Sequence, residues 1–203
     1  MTGKNDPPII TPGTGTPVVI NPGAGTVDIE AQVLSTITDD STGLTITSLD
    51  TTGTLGTVVL GSVDYTAGSA FDFLNVNETA IDTFQFTVVD DQGLSTTGSF
   101  SLTVSGLADA PVVAAPLTVG VLDNEANSTL DLLTGATDID ATDILSVSGL
   151  VISGDQIGIS VVDNIVTIAP SNYTFAAGVT STDVNFTYNI TDTTGLSVAQ
   201  TAT

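Results

Sequence analysis

Residues 83–95 read TFQFTVVDDQGLS, and nearly the same stretch returns at residues 186–197 as FTYNITDTTGLS. Matching segments also precede the two copies, TITDDSTGLTITSL at 36–49 and ATDIDATDILSVSGL at 136–150. The period of about one hundred residues is too long for a solenoid repeat. It suits two autonomous domains in tandem.

The repeated stretch alternates apolar and polar side chains, which is the pattern of a half-buried β-strand. Phe84, Phe86 and Val88 share one side in the first copy, and residues 186–190 repeat the pattern in the second. Segment 27–33 alternates in the same way and predicts another strand. Thr, Val, Ile and Ser dominate the remainder, and no stretch shows helical periodicity. The sequence therefore predicts an all-β chain of two tandem immunoglobulin-like antiparallel β-sandwiches, joined end to end by a short linker.

The boundary between the domains is predicted at residues 106–111, GLADAP. Proline cannot donate a ladder hydrogen bond, so the strand that ends at Ser105 stops there. The same signature opens the chain as GKNDPP, which puts Asp6 and Asp109 at equivalent linker positions. We therefore expect one domain over residues 1–108, with 1–8 as the preceding linker, and a second over 109–203.

The last strand of the second domain is expected to be truncated. Ser95 is followed by TTGSFSLTVSG before the linker, whereas Ser197 is followed only by VAQTAT. The N-terminal MTGKNDPPII does not have the pattern of a signal peptide. We expect the sequence to be an excised fragment of a longer chain.

The charge balance excludes several classes of partner. The 203 residues include 23 acidic residues, one basic residue (Lys4) and no histidine, which gives a net charge of −22. Neither a nucleic acid nor an anionic membrane surface attracts such a chain. The hydrophobic fraction of 41% also argues against a disordered acidic tail. Because salt bridges cannot neutralise these carboxylates, we expect a bound divalent cation such as Ca²⁺; the alternative is an acidic surface without a specific ion.

The chain offers little for catalysis or membrane insertion. It lacks histidine and cysteine, so a serine nucleophile would lack its usual base, and no disulfide or thiolate metal site exists. The acidic residues lie in predicted loops rather than across a cleft suited to glycoside hydrolysis. No apolar run reaches transmembrane length. We therefore predict a protein that is not an enzyme.

The end of the first repeat, NETAIDTFQFTVVDDQGLSTTGSFSLTVSGLADAP, resembles the end of the VCBS and cadherin-like repeats of giant bacterial adhesins. Those repeats commonly close with a Gly-Glu-Thr-Ala-like turn, an aromatic strand, an Asp-x-x-Gly turn and an Asn-Asp-Ala-Pro linker. ATDIDATDILSVSG resembles the Asp-x-Asp loop of the family, and VTIAPSNYTF resembles its strand and Pro-x-x-Asn segment. The resemblance covers nearly the whole chain. It implies a secreted, extracellular stalk on a bacterial cell surface, usually rigidified by Ca²⁺, in an RTX- or Bap-type adhesin.

Topology predicts where an ion would bind. Strands of an immunoglobulin-type sandwich run alternately up and down, so the leading segment and the BC, DE and FG loops share one end. In the second domain this end gathers candidate ligands, which are Asp109, Asp138, Asp140, Asp143 and Asp192. The Asp-x-Asp-x-x-Asp spacing at 138–143 places three carboxylates within one turn, although it lacks the glycine and glutamate of an EF-hand loop. The alternative is that these aspartates only make Asx turns.

The first domain carries a corresponding set of candidate ligands at its own end, namely Asp6, Asp39, Asp40, Asp90 and Asp91. Glu78 is predicted at the opposite end of this domain, facing the Asp109 linker from the other side. Because Ca²⁺ takes about six to eight oxygen ligands, both domains are expected to contribute. An ion bound there would fix the angle of a linker that is otherwise flexible.

Three functions remain open at the level of the sequence. The first is a Ca²⁺-rigidified spacer of a cell-surface adhesin that supports adhesion and biofilm formation, with neighbouring repeats of the same polypeptide as partners. The second is a filament or surface-layer subunit, completed by strand addition of residues 8–10 or 17–20 from a neighbouring subunit. The third is a glycan- or ice-binding module, which a flat, regular threonine array on one sheet face would support.

Overall fold

The structure is a computed structural model that describes residues 5–12, 18–41, 43–123, 125–173 and 181–203. The chain divides into two compact units, Met1–Leu107 (unit 1) and Ala108–Thr203 (unit 2). Lys4 lies outside the described residues. Among the described residues, no helix has both the length and the apolar character needed to cross a bilayer.

Unit 1 is built mainly of strands. Its elements in chain order are β1 (Ile9–Ile10), β2 (Val19–Ile20), a 3₁₀ turn (Pro22–Ala24), β3 (Thr26–Asp28), α1 (Glu30–Leu34), β4 (Ile37–Thr38), β5 (Thr45–Asp50), β6 (Thr57–Val59), β7 (Asp64–Thr66), a 3₁₀ turn (Gly68–Phe71), β8 (Thr79–Val89) and β9 (Ser95–Ser105). Three sheets result, with strand orders β2-β9-β8-β5, β3-β7-β6 and β1-β4. All pairs are antiparallel except β2 with β9. The longest ladder joins β8 to β9 from Thr79 opposite Ser105 to Val89 opposite Ser95.

Unit 2 repeats this plan. Its elements are β10 (Val112–Val113), β11 (Ser128–Asp131), β12 (Ala136–Thr137), β13 (Ser146–Gly154), β14 (Ile159–Val162), β15 (Ile165–Ile168), a 3₁₀ turn (Pro170–Asn172), β16 (Val184–Thr191) and β17 (Ser197–Ala202). The strand orders are β13-β16-β17, β11-β15-β14 and β10-β12. A single parallel bridge from Leu117 to Ala202 takes the place of the β2–β9 pairing. Even the irregularity in β5, between Ile46 and Ser48, recurs in β13.

Each unit has its own apolar core, formed by the alternate side chains of its strands. In unit 1, Phe84, Phe86 and Val88 of β8 are buried together with Phe100 of β9. In unit 2, Phe186, Tyr188 and Ile190 of β16 are buried in a separate cluster. The alternation read from the repeated stretch therefore places the correct side of each strand inward. The predicted fold class, two tandem immunoglobulin-like and cadherin-like β-sandwiches, is confirmed.

The strand predicted over residues 27–33 is wrong beyond Asp28. The chain forms β3 and then turns into the short helix α1. Ile29 and Val33 are both fully buried, because the spacing i, i+4 places them on one side of a helix as it would in a strand. The carboxylate of Asp28 accepts a hydrogen bond from the backbone N–H of Glu30 (3.0 Å), which satisfies a donor at the helix start.

A buried carboxylate joins the sheets of unit 1. Asp82 is 2% exposed and accepts hydrogen bonds from the Tyr65 hydroxyl (2.7 Å) and from the backbone N–H groups of Leu55 (3.0 Å), Gly56 (2.8 Å) and Thr83 (3.0 Å). Burial, together with the Asp82 carboxylate, raises the pKa of Tyr65 well above its ordinary value. A Cβ at Gly56 would lie 2.4 Å from the Tyr65 hydroxyl oxygen, so only glycine allows this approach.

Candidate metal centre

Short strand pairs bring the acidic loops of unit 2 together. β10 pairs with β12, so the leading segment of the unit runs beside the loop 138–145 that follows β12. The backbone N–H of Asp109 donates to Asp140 Oδ2 at 2.7 Å and ties the two segments. The Thr193 hydroxyl of the β16–β17 turn donates to Asp143 Oδ1, which adds the third segment. The structure thus gathers Asp109, Asp138, Asp140, Asp143 and Asp192 at one end of unit 2.

Three of these carboxylates lie within reach of one ion. Single oxygen atoms of Asp138, Asp140 and Asp143 all lie within 4.8 Å of one another. Two ligands of one Ca²⁺, each about 2.3–2.6 Å from the ion, are at most about 5 Å apart. The backbone N–H of Asp140 donates to Asp138 Oδ1 (3.1 Å) and holds the turn. The loop can therefore form Asx turns and present its carboxylates to one ion at the same time.

Several carboxylate oxygens at this end are buried and accept no hydrogen bond. They are Asp138 Oδ2, Asp140 Oδ1 and Asp192 Oδ2, and the side chains of Asp140 and Asp192 are only 2% and 6% exposed. The other oxygen of Asp192 accepts the backbone N–H groups of Thr194 (2.8 Å), Gly195 (2.6 Å) and Leu196 (2.9 Å). Gly195 has φ +95°, which makes this turn possible. Because buried polar atoms are nearly always satisfied, these three oxygens fit a site for a bound cation.

The electrostatics of the site fit a bound positive charge. Burial raises the pKa of Asp138, and the neighbouring carboxylates of Asp143, Asp140 and Asp192 raise it further against the opposing Asp140 N–H bond. The donors are all carboxylate oxygens, and the sequence has no histidine or cysteine, which favours a hard cation over zinc. Ca²⁺ fits better than Mg²⁺, since Mg²⁺ usually keeps several waters and binds few carboxylates. A bound cation would supply the charge that these oxygens lack.

Unit 1 brings its own candidates together in a different way. Desolvation raises the pKa of Asp40, and the nearby negative charges of Asp39 and Asp6 raise it further. Asp39 is already occupied by the Asp40 N–H (2.9 Å) and the Ser41 hydroxyl (2.7 Å). Asp91 lies beside Gly43, where an added Cβ would sit 2.9 Å from Asp91 Cβ.

Asp90 is the buried member of the unit 1 group. It occupies the same position in the β8–β9 turn as Asp192 does in the β16–β17 turn. Asp90 Oδ1 accepts the N–H groups of Gln92 (2.9 Å) and Leu94 (2.8 Å), and Oδ2 accepts the Asn5 amide (2.7 Å). Gln92 in turn donates to Asn5 Oδ1 at 3.0 Å. Burial raises the pKa of Asp90, but the hydrogen bonds from Asn5 and the backbone outweigh it and hold that pKa below its ordinary value.

Glu78 lies in the turn that leads into β8 of unit 1. Its carboxylate accepts the backbone N–H of Asn75 (3.0 Å), and its carbonyl accepts the N–H of Gly106 (2.9 Å). Glu78 is therefore placed beside the segment that leaves β9. Its role as a ligand stays a prediction.

Two residues that take part in the hydrogen bonds of buried carboxylates in unit 1 were not identified from the sequence. Asn5 was read only as part of a linker, although an amide beside an Asp-x-x-Gly turn can cap the turn carboxylate. Asp82 lies on the inward side of an alternating strand, and that position was a usable signal of a buried carboxylate needing donors.

Comparisons with known proteins agree with the fold. A family model described as a bacterial Ig domain matches residues 5–103. The match lies within unit 1, which is thus similar to a bacterial Ig domain. Among solved structures, the extracellular domain of protocadherin gammaB4 is 16% identical with a TM-score of 0.52, over 97% of this chain and 34% of that one. Human mucin-like protocadherin EC1-2 is 17% identical with a TM-score of 0.50, over 96% of this chain and 95% of that one.

The human desmocollin-1 ectodomain is 15% identical with a TM-score of 0.49, over 99% of this chain and 37% of that one. This chain therefore spans only 37% of the desmocollin-1 structure and 34% of the protocadherin gammaB4 structure. At such identities the likeness to the two protocadherin structures concerns the fold alone, which is Ig-like and cadherin-like. No curated protein sequence matches the chain.

Proposed function

We propose that this chain forms part of an extracellular, Ca²⁺-stiffened spacer in a secreted bacterial cell-surface adhesin of the VCBS, RTX or Bap type. In this role it supports adhesion and biofilm formation and has no enzymatic activity. The observation that carries the proposal is the set of buried oxygens without donors, Asp138 Oδ2, Asp140 Oδ1 and Asp192 Oδ2. The bacterial Ig-domain match of residues 5–103 supports it.

The proposed mechanism acts on the segment that joins the two units along the chain. Asp109 follows the last residue of unit 1 by two positions and is tied through its N–H to Asp140. An ion held by Asp138, Asp140 and Asp143, with Asp192 close by, would lock this loop and, with it, the start of unit 2. The freedom of a short linker would then fall, and a series of such joints would hold a binding tip away from the cell.

Thermal unfolding and small-angle scattering in millimolar Ca²⁺ and in EGTA test this function. Free Ca²⁺ at about 100 times Kd adds about 2.7 kcal/mol of stability, which is about 10–20 °C for a domain of this size. We expect Ca²⁺ but not Mg²⁺ to raise the melting temperature and to lengthen or stiffen the particle. Asp140→Asn should abolish the Ca²⁺ effect while leaving the protein in EGTA as stable as before, or more so.

Asp163→Asn is the matched control for charge. Asp163 lies in the exposed β14–β15 turn with φ +54°, a conformation that asparagine also tolerates. This variant should keep the full response to Ca²⁺. A chain whose melting temperature and scattering ignore Ca²⁺ would contradict the proposal and leave only an acidic surface.

A filament or surface-layer subunit completed by strand addition is the second candidate, and a cavity beside β16 favours it. β17 pairs with β16 only from Phe186 to Thr191 in the described residues, so Val184 and Asn185 lie beyond its ladder. A cavity of about 390 Å³ adjoins Val184 and is lined in part by Val119, Ile168 and Phe186. In unit 1, β9 continues over the equivalent positions with buried Leu102 and Val104.

The strands predicted as donors are already used within unit 1. Ile9–Ile10 pairs with β4, and Val19–Ile20 pairs with β9, while Pro17 lies outside the described residues. Either donor would have to leave its own unit first. A peptide with the sequence of residues 99–106, SFSLTVSG, is the better probe, and hydrogen exchange of Val184 and Asn185 would report its binding. Unchanged exchange at saturating peptide would contradict strand addition.

A further inference from the structure

The carboxylates of the chain avoid one sheet face in each unit. On the outer side of β8 and β9 in unit 1, the residues are Thr79, Ile81, Thr83, Gln85, Thr87, Val89, Ser95, Thr97, Ser99, Ser101, Thr103 and Ser105. The only acidic residue in these two strands is Asp82, which points inward. We name this surface the hydroxyl face of unit 1. Asp50 lies at its rim, at the last position of β5.

Unit 2 has an equivalent surface, the hydroxyl face of unit 2. Its strands β13, β16 and β17 contain no charged residue at all. The exposed residues on their outer side are Ser146, Ser148, Val151, Ser153, Asn185, Thr187, Asn189, Ser197, Ala199 and Thr201. The second sheet is different, since in unit 1 it places Asp28 directly opposite Asp64. The distribution is therefore a property of one sheet in both units.

We infer that the hydroxyl faces associate with the same faces of a second copy of this chain. Two molecules that each carry a charge of −22 repel wherever carboxylates meet, so a neutral surface is where they can approach. Hydroxyl and amide groups both donate and accept hydrogen bonds, so such a face is complementary to itself, as a two-fold contact requires. Paired hydroxyls already occur within each face, as in Thr83 with Ser101 (2.8 Å) and Ser148 with Thr191 (2.6 Å).

Apolar side chains on the face favour contact with protein over contact with sugar. Ile81 is 73% exposed and Val19 is 62% exposed on the neighbouring strand, and Val151 is 60% exposed in unit 2. The outer positions of β8, β9, β13, β16 and β17 hold no aromatic residue on which a sugar ring would stack. A second copy can bury the aliphatic groups and meet the hydroxyls at once.

The size of each face predicts a weak contact. Strands of 11 residues run about 37 Å, and three strands span about 14 Å, which gives about 500 Å² for unit 1. The eight residues of β16 give about 400 Å² for unit 2 by the same reckoning. Either value is below the roughly 800 Å² per partner of a standard interface. The contact is therefore transient for single molecules and gains strength only where many copies lie side by side.

Sedimentation equilibrium of the full chain at millimolar concentration, in EGTA, tests this inference. Raising NaCl from about 0.01 M to about 1 M shortens the screening length from about 30 Å to about 3 Å. We expect dimers to increase with salt, because screening removes the repulsion while the neutral face stays unchanged. A chain that remains monomeric at both salt concentrations would overturn the inference. The result does not depend on Ca²⁺, so it is separate from the test of the spacer.

Matched variants locate the contact. Ser99→Asp combined with Asn189→Asp adds one carboxylate to each face and should raise the dimer Kd at least tenfold. Ser99→Asn, which has the size of the aspartate without its charge, and Asn127→Asp, which adds the charge on an exposed loop before β11, should each stay within twofold. Equal effects of the face and loop variants would overturn the inference, as would a monomeric chain that binds a neutral glucan through Ser99 and Asn189.

Discussion

Unit 1 and unit 2 share one strand plan, except that a single bridge in unit 2 takes the place of the β2–β9 pairing, yet the two units differ in how they hold their buried carboxylates. In unit 1, every described buried carboxylate oxygen has a donor, and the one buried acceptor without a partner is the amide oxygen Gln32 Oε1. In unit 2, oxygens of Asp138, Asp140 and Asp192 lack donors at one end. Unit 1 supplies donors to its buried carboxylates from its own amides, hydroxyls and backbone, whereas unit 2 leaves these three oxygens without a donor from the described residues.

Asp90 and Asp192 show the difference at a single position. Both follow the long aromatic strand, and in both the Oδ1 atom accepts backbone N–H groups of the turn. The second oxygen of Asp90 meets the Asn5 amide at 2.7 Å, while that of Asp192 is buried without a donor. The residue before the linker aspartate decides this, because it is Asn5 in unit 1 and Ala108 in unit 2.

The largest expected effect comes from weakening the hydrogen bonds to the buried Asp82 carboxylate of unit 1. Asp82→Asn keeps the shape but turns one acceptor into a donor, so the Gly56 N–H or its neighbour loses its partner. Leaving a buried donor unsatisfied and losing a hydrogen bond to a charged group costs about 3 kcal/mol together. Urea unfolding followed by hydrogen exchange in peptides of unit 1 measures this loss.

Unit 2 provides the control for that prediction. Val184 occupies the position equivalent to Asp82. Asp82 lies two residues before Phe84 in β8, and Val184 lies two residues before the corresponding Phe186 in β16. Val184→Thr should change the exchange of unit 2 far less. A loss below about 1 kcal/mol for Asp82→Asn would show that the four hydrogen bonds are not needed.

The next effect separates the two turn aspartates. Asp192→Asn should remove most of the Ca²⁺-dependent protection of unit 2, about 2.7 kcal/mol when free Ca²⁺ is about 100 times Kd. Asp90→Asn should lower the stability of unit 1 equally with and without Ca²⁺, because its amide would face the Asn5 amide. Hydrogen exchange mass spectrometry reads each unit separately. If the two variants show the same change in their response to Ca²⁺, the Asp90 turn of unit 1 and the Asp192 turn of unit 2 do not differ in ion binding.

The strands were predictable from the sequence because alternation is a local signal. Phe84, Phe86 and Val88 face inward as expected, and the repeat transfers that assignment to unit 2. Helix α1 was missed because Ile29 and Val33 satisfy strand alternation and helical spacing at the same time. The gathering of the acidic loops followed from strand direction. The Asn5–Asp90 bond did not, because it depends on a side-chain rotamer that spacing does not encode.

A smaller effect is expected from substitutions of Asn5 and Ala108, the residues that precede the linker aspartates of the two units. Asn5→Ala removes the amide from Asp90 and leaves its Oδ2 in the situation of Asp192, so unit 1 should become slightly less stable in EGTA and gain a response to Ca²⁺. Ala108→Asn offers unit 2 an amide and should weaken its response to Ca²⁺. Calorimetric titration with Ca²⁺ measures both. Unchanged titrations for both variants would mean that this position does not control the choice between amide and ion.

The smallest effect is the opposite dependence of the two units on pH in EGTA. The folded-state pKa of Asp138 is raised above its ordinary value of 3.8, so the folded unit binds this proton more tightly than the unfolded chain. Its contribution to stability therefore falls as the pH rises from 3.8 through the raised value. The pKa of Asp90 is lowered, so its contribution is present above 3.8 and is lost as the pH falls through the lowered value.

Acidification just above pH 3.8 should therefore favour unit 2 through Asp138 while unit 1 keeps the contribution of Asp90. Asp138→Asn should remove the gain in unit 2 without changing unit 1, and hydrogen exchange corrected for its intrinsic pH dependence measures both. Adding Ca²⁺ should reverse the sign for unit 2, because the ion binds the carboxylate in competition with the proton. A gain on acidification that persists in saturating Ca²⁺ would place the ion away from Asp138.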